Sequence, residues 1–265
     1  MSNRKAIPTF AHFETLTNLN NIPIRISHQS SLPLSDLTTL SNGTGDSTGM
    51  KVWLCSKFIL ALLSHEPSSH LLHKVFHGNT IFEIGCGAGA VGIALLLNNK
   101  QFLLPNPAHY YFSDNDLTTV HLVEHNCVQN SLPSNLVNYA LLDVNDPSSS
   151  LPDPTVVDVI LAIDVIYDKS IVRPLFSTAM KLIQEARSSK SWCGVKTHFF
   201  VLCWCVRMNL NEKRMIATEE ECGDFIKDEA KLANFNLVRM TILKGGGDLD
   251  QAFVDAGCNC YVFEI

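Results

Sequence analysis

Between Phe82 and Gly92 the chain reads FEIGCGAGAVG, an apolar run that breaks into four glycines. A backbone without Cβ atoms lets a ligand pass close to it, so Gly85 and Gly87, with Cys86 between them, are candidate ligand contacts. The frame of Gly85, Gly87, Gly89 and Gly92 nearly supplies a dinucleotide fingerprint, yet Glu83 just before it is not a residue that a pyrophosphate site asks for. A tight turn with no ligand is the plain alternative. In FSDND, Asp114 can accept two hydrogen bonds from the vicinal hydroxyls of a ribose, with Asn115 beside it. Asp114 lies 29 positions after Gly85, against about 20 in the dinucleotide pattern, and the insertion QFLLPNPAH accounts for the excess. Its alternative role is a helix N-cap, for which Asp116 is the better candidate. In LLDVND, Asp143 suits an adenine exocyclic amine and Val144 the face of the ring. In AIDVIYD, Asp164 follows Ile163 at the end of an apolar run, and Tyr167 comes three residues later. A carboxylate there is costly unless it meets a cleft or a partner; capping the next helix is its alternative.

These residues fall where an alternating pattern of elements would put them. Short apolar strands are predicted over 80–84, 109–113, 137–142, 156–163 and 198–206, with helices over 90–97, 117–130, 170–186 and 218–233 between them. The stretch 156–163 is apolar nearly throughout, as in a parallel strand buried on both faces. A βα rhythm of this kind predicts a doubly wound sheet, whose ligands bind outside the carboxyl ends of the strands. Each candidate residue sits at such an end. Two C-terminal strands, over 237–243 and 260–265, are joined by GGGDLDQAFVDAG with no crossover helix, so that pair reads as antiparallel. Ahead of the sheet, HFETLT and IPIRIS flank a turn-prone NLNN and read as a β-hairpin. Residues 40–50 read as a loop and Lys51 to Ser64 as an amphipathic helix. The chain therefore divides into an N-terminal extension, 1–50, and one large domain, 51–265.

Composition narrows the function. The chain has 265 residues, 46% of them apolar and 17% charged, which suits a globular protein with a sizeable core. A net charge of −6 advertises no basic surface for nucleic acid. No apolar run reaches the length of a membrane span, and the N-terminus lacks a signal-peptide stretch, so a cytoplasmic or nuclear home is expected. Nine cysteines are scattered rather than framed. The pairs Cys203/Cys205 and Cys258/Cys260 are read as buried thiols in a reducing compartment, with paired metal ligands as the alternative. His65, His70, His73 and His77 lie in a polar connecting stretch without cysteines at zinc spacing. No metal is expected.

FEIGCGAG, FSD and DVIYD, in that order and spacing, resemble the seven-β-strand S-adenosylmethionine-dependent methyltransferases. In particular they resemble the eukaryotic branch of protein-lysine methyltransferases called family sixteen. Asp164 and Tyr167 match its Asp/Glu-x-x-Tyr/Phe motif, and Gly49 and Trp53 match its Gly-x-x-x-Trp element. Asn126 and Asn130 match the paired asparagines of its second helix. Where members commonly carry a Trp after the third strand, this chain has Val144 and Asn145, and Ile163 stands where a small residue usually precedes the acid. The resemblance, over about residues 45–210, implies a Rossmann-like seven-stranded sheet with the last strand antiparallel. It implies S-adenosyl-L-methionine as cofactor, held by Trp53, Glu83, Gly85, Cys86, Gly87, Asp114, Asn115, Asp143, Val144 and Ile163. It implies methylation of a lysine in a protein substrate, with Asp164 orienting the amine and Tyr167 walling an apolar channel. Core packing is the alternative for Trp53. No direct nucleic-acid partner and no membrane are expected, and the chain is expected to act as a monomer. Methylation of histidine or a small molecule, or a silent cofactor-binding role, are the competing readings; an oxidoreductase is disfavoured because no Tyr-x-x-x-Lys appears.

Overall fold

A computed structural model describes residues 13–17, 23–27, 49, 51–64, 66–97, 107–146, 157–188, 197–205, 208–209, 214–215, 219–242, 253 and 256–265. The loop expected over 40–50 lies outside these residues apart from Gly49, as do His65 and most of the connection before the last strand. Among the described residues no helix is long and apolar enough to cross a membrane.

The seven-stranded sheet comprises β3 (Thr80–Ile84), β4 (His109–Asp114), β5 (Val137–Leu141), β6 (Val159–Ile163), β7 (Phe199–Trp204), β10 (Asn236–Ile242) and β11 (Asn259–Glu264). They lie in the order β10-β11-β7-β6-β3-β4-β5. β3 to β7 pair in parallel, and β11 runs antiparallel to both β7 and β10, as the sequence predicts. Every residue of β3 and β6 is buried, because helices cover both faces of these central strands. On one face pack α1 (Leu54–Ser64), α2 (Glu66–Phe76), α3 (Ala90–Leu97) and α4 (Leu117–Gln129), against Ile81, Tyr110, Phe112, Leu161 and Val201. On the other pack α5 (Val172–Ser188) and α6 (Glu219–Leu232), against Phe82, Ile84, Ile160, Phe200 and Phe263. Successive strand residues alternate between the two cores, as period two requires. A minor ladder joins β8 (Met208–Asn209) to β9 (Arg214–Met215).

Two expectations change. The histidine-rich stretch is a helix, α2, because Leu72, Val75 and Phe76 recur at helical spacing and are buried. His73 there hydrogen-bonds the Leu63 carbonyl at the end of α1, 2.9 Å away. The strand expected from 156 begins at Val159, because the Asp158 carboxylate accepts the Thr80 N–H at 2.9 Å and so takes a place the ladder would fill.

The predicted hairpin forms: β1 (Phe13–Thr17) pairs antiparallel with β2 (Pro23–Ser27). β2 lies on α4, with Ile24 and Ile26 in the core. Asn126 accepts the Ser27 N–H at 2.8 Å and donates to the Ser27 carbonyl at 3.1 Å. One turn later, Asn130 accepts the Arg25 N–H at 3.1 Å and donates to its carbonyl at 2.7 Å. Four helical residues rise about 6 Å and two strand residues about 6.8 Å, so the asparagines meet alternate strand residues and act as a substitute neighbouring strand.

Candidate functional site

The chain order β3, β4, β5 grows outward on one side, and β6 then returns to the other side of β3. The switch therefore lies between the carboxyl ends of β3 and β6, where a crevice must open. A cleft opens there, where ligand sites of such sheets lie. Trp53, Gly85, Gly87, Asp114, Asn115, Asp143, Val144, Ile163, Asp164 and Tyr167 all line it. Ten of the predicted site residues are thus brought to one place. The other two, Glu83 and Cys86, do not line this cleft; they line an adjoining cavity of about 280 Å³, which shares Trp53, Gly85, Gly87 and Ile163 with it.

The glycine turn is shaped by contacts as well as by conformation. Gly85 has φ +68° and Gly87 φ +53°, in the left-handed region that favours glycine. A Cβ on Gly85 would meet Val165 Cγ1 at 2.5 Å, and one on Gly87 the Gly49 carbonyl oxygen at 3.0 Å. Gly49, four positions before Trp53, thus lies directly on the turn. The later glycines make room for packing, Gly89 also at φ +77°: a Cβ on Gly89 would meet Val123 Cγ2 at 2.2 Å, and one on Gly92 would meet Phe112 at 2.4 Å.

Asp114 ends β4 almost fully buried, and its Oδ2 accepts the Gly87 N–H at 3.1 Å. It ties the second strand end to the glycine turn. Burial pushes its carboxyl up to about 6, against the pull of the Gly87 and Asp116 N–H groups. The N-cap of α4 is Asp116, which accepts the Thr118 N–H at 2.8 Å; capping is therefore not the role of Asp114. Glu83 is buried and accepts the Tyr110 hydroxyl at 2.9 Å. Burial, with the nearby Asp114 charge, pushes its carboxyl up to about 8 although the hydroxyl pulls the other way. Asp143 Oδ1 accepts the Asn145 N–H at 2.8 Å, which shapes the turn after β5. Trp53 is partly exposed and borders both cavities.

Asp164 is a non-glycine residue at φ +60°, a conformation that costs on the order of 1–3 kcal/mol and collects at functional sites. It is buried. Its Oδ2 accepts the Cys55 N–H in the first turn of α1 at 3.4 Å, and its Oδ1 accepts the Cys205 thiol at 3.5 Å. The carboxylate thus faces the positive end of α1, while Asp168 caps the turn before α5 through the Ser170 N–H at 2.7 Å. Capping of the next helix is accordingly not the work of Asp164. Tyr167, 45% exposed, stands at the mouth of the cleft. Neither Val165 against Gly85 nor Leu175 of α5 on the cleft wall is a candidate by sequence, because both read as ordinary apolar residues.

A family model described as lysine methyltransferase matches residues 34–199, more than half of the chain. No curated protein matches the sequence. Among solved structures, a candidate SAM-dependent methyltransferase from Streptococcus mutans aligns with a TM-score of 0.51 at 12% identity, covering 93% of this chain and 54% of its own. Magnesium protoporphyrin IX methyltransferase from Synechocystis PCC 6803, solved with bound SAH, gives 0.48 at 14% identity over 87% of this chain and 92% of its own. A SAM-dependent methyltransferase from Aquifex aeolicus gives 0.47 at 17% identity, over 89% and 100%. At 12% identity the first of these speaks to the fold alone.

Proposed function

The chain belongs to the lysine methyltransferase family, and from that premise we propose that it transfers a methyl group from S-adenosyl-L-methionine to the side-chain amine of a lysine in a protein substrate. The observation that carries the reading is a single cleft with two unlike ends: a bare glycine turn tied to a buried Asp114, and an Asp164–Tyr167 pair at the opening.

The fit of the cofactor is supported by the turn itself. Gly85 and Gly87 both line the cleft and carry no side chain, so the backbone there presents itself bare to it. Gly85 and Gly87 would hold the middle of the cofactor, Asp114 and Asn115 the ribose hydroxyls, and Asp143, Val144 and Ile163 the adenine. Trp53, with Glu83 and Cys86 in the adjoining cavity, would border the methionine end. When bound, S-adenosylmethionine supplies a methyl group already attached to its leaving group.

The protein's work is then largely positioning, since in-line displacement rewards alignment of donor and acceptor. A lysine must lose a proton before its nitrogen can attack. The apolar cleft wall, with Ile163, Val165 and Leu175 beside Tyr167, disfavours the ammonium form by desolvation. Asp164 draws the incoming ammonium by charge and, once its proton has left to solvent, accepts an N–H of the neutral amine. Its position is set by the Cys55 N–H on the far side, so its nearer lone pairs aim the nitrogen. The Tyr167 ring walls the channel and meets the substituted amine face-on.

The test is transfer of labelled methyl from S-adenosylmethionine into a cell extract, followed by identification of the labelled residue. Label recovered as methyl-lysine in a protein is the expected result. Label on histidine or on a small molecule refutes the lysine assignment, and no transfer to any acceptor refutes the activity.

A further inference from the structure

Two thiols meet beside the Asp164 carboxylate, Cys55 from the first turn of α1 and Cys205 from just beyond β7, and a third, Cys258, lies just before β11. The ligand atoms of Cys55, Cys205 and Asp164 lie within 4.8 Å of one another, and continuing the antiparallel register of β7 and β11 sets Cys258 opposite Cys205. The Cys205 sulfur stands 3.5 Å from Asp164 Oδ1. In a tetrahedral zinc site, with Zn–S about 2.3 Å and Zn–O about 2.0 Å, the sulfur–oxygen edge is about 3.5 Å. The hydrogen-bonded thiol and carboxylate therefore already stand at the edge length of such a site. Two residues into each strand, Cys203 and Cys260 are register partners inside the core. The two Cys-x-Cys pairs therefore split into an inner, packing pair and an outer pair that reaches Cys55.

We propose that Cys55, Cys205, Cys258 and Asp164 form a binding site for a soft divalent cation of the zinc class. Sulfur donors select such ions over magnesium or calcium. Four donors complete a tetrahedral shell, and the thiol protons leave to solvent as the thiolates bind. The ion would fasten the start of α1 to the ends of β6 and β7 and the start of β11, four segments that surround the switch point. It would also occupy Asp164 Oδ1. On the methyl-transfer reading, metal and acceptor amine therefore compete for one carboxylate.

The test uses the full chain, reduced, stripped with a chelator and titrated with Co²⁺, with Zn²⁺ as competitor. One equivalent of Co²⁺ should produce sulfur-to-cobalt charge-transfer absorption with tetrahedral visible bands, and one equivalent of Zn²⁺ should displace it. Cys205→Ser, at a partly exposed position, should weaken binding at least about 10- to 100-fold, the loss already seen when an outer-shell partner is removed. Asp164→Asn, which keeps the shape of the side chain, should also weaken it. Cys127→Ser, on α4 away from the cluster, should leave it unchanged. Absence of the charge-transfer band, or equal affinity in wild type and in both ligand variants, overturns the site. The readout needs neither methyl donor nor acceptor, so it stands or falls apart from the proposed activity.

Discussion

Glu83 and Asp114 lie on adjacent strands, and burial lifts both carboxyls above the ordinary range, to about 8 and about 6. For Glu83 the folded value lies above the unfolded 4.5, so between these pH values the native state binds more protons than the unfolded chain. Its contribution to stability therefore falls as pH rises from about 4.5 to about 8. Glu83→Gln cannot lose that proton. Thermal melts of the cofactor-free protein should show the variant gaining on wild type across this window, and a difference independent of pH would mean that Glu83 is ionised throughout. Asp114 must be ionised to accept from two ribose hydroxyls, so cofactor affinity should hold above about pH 6 and fall about tenfold per unit below it. Asp114→Asn, which can still accept the Gly87 N–H, should weaken binding by about 1.5–3 kcal/mol, the range for hydrogen bonds to a charged group. Its pH profile should be flat in calorimetric titration; a profile as steep as wild type removes Asp114 from the ribose site.

At the scale of elements, α4 holds two things in place through Asn126, which is fully buried and bonds both Ser27 of the hairpin and the Ala88 carbonyl of the glycine turn, the latter at 2.9 Å. Asn126→Ala leaves three backbone groups without their partner, each costing about 1–3 kcal/mol where water cannot replace it. Urea unfolding should show a loss of at least about 2 kcal/mol, with faster hydrogen exchange at the Ser27 amide. Asn130→Ala, at the exposed end of the same clamp, should cost only about 0.5–1.5 kcal/mol. Equal losses would contradict the difference in burial. Much of this arrangement is legible in the sequence, since strands such as VILAI and FFVLCW carry their burial in their composition, and acids at strand ends mark the ligand side of the sheet. The helix α2 is not legible, because histidines and serines dilute a stripe carried by a few residues such as Leu72, Val75 and Phe76. Nor can sequence separate Gly85 and Gly87, which face the cleft, from Gly89 and Gly92, which make room for Val123 and Phe112. The φ of Asp164 and the meeting of Cys55 and Cys205 at its carboxylate arise only from tertiary placement, across separations that no spacing rule spans.

For the whole molecule, the order β10-β11-β7-β6-β3-β4-β5 divides the labour of the cleft. β3, β4 and β5 bring the glycine turn, Asp114 and Asp143, which on our reading hold the cofactor, while β6 alone brings Asp164 and Tyr167. Damage to the two sides should therefore separate in the kinetics. Asp164→Asn keeps the shape of the side chain and removes the charge that draws in the amine, and Tyr167→Ala opens the channel wall beside it. The most direct measurement compares, in the presence of a chelator, the rate of methyl transfer to the protein acceptor with calorimetric affinity for S-adenosylmethionine, in wild type and in Asp164→Asn. The rate should fall at least about tenfold, equivalent to about 1.4 kcal/mol of transition-state stabilisation, while cofactor affinity changes by much less. Equal losses in rate and affinity would move Asp164 into the cofactor pocket, and an unchanged rate would contradict its role at the acceptor amine.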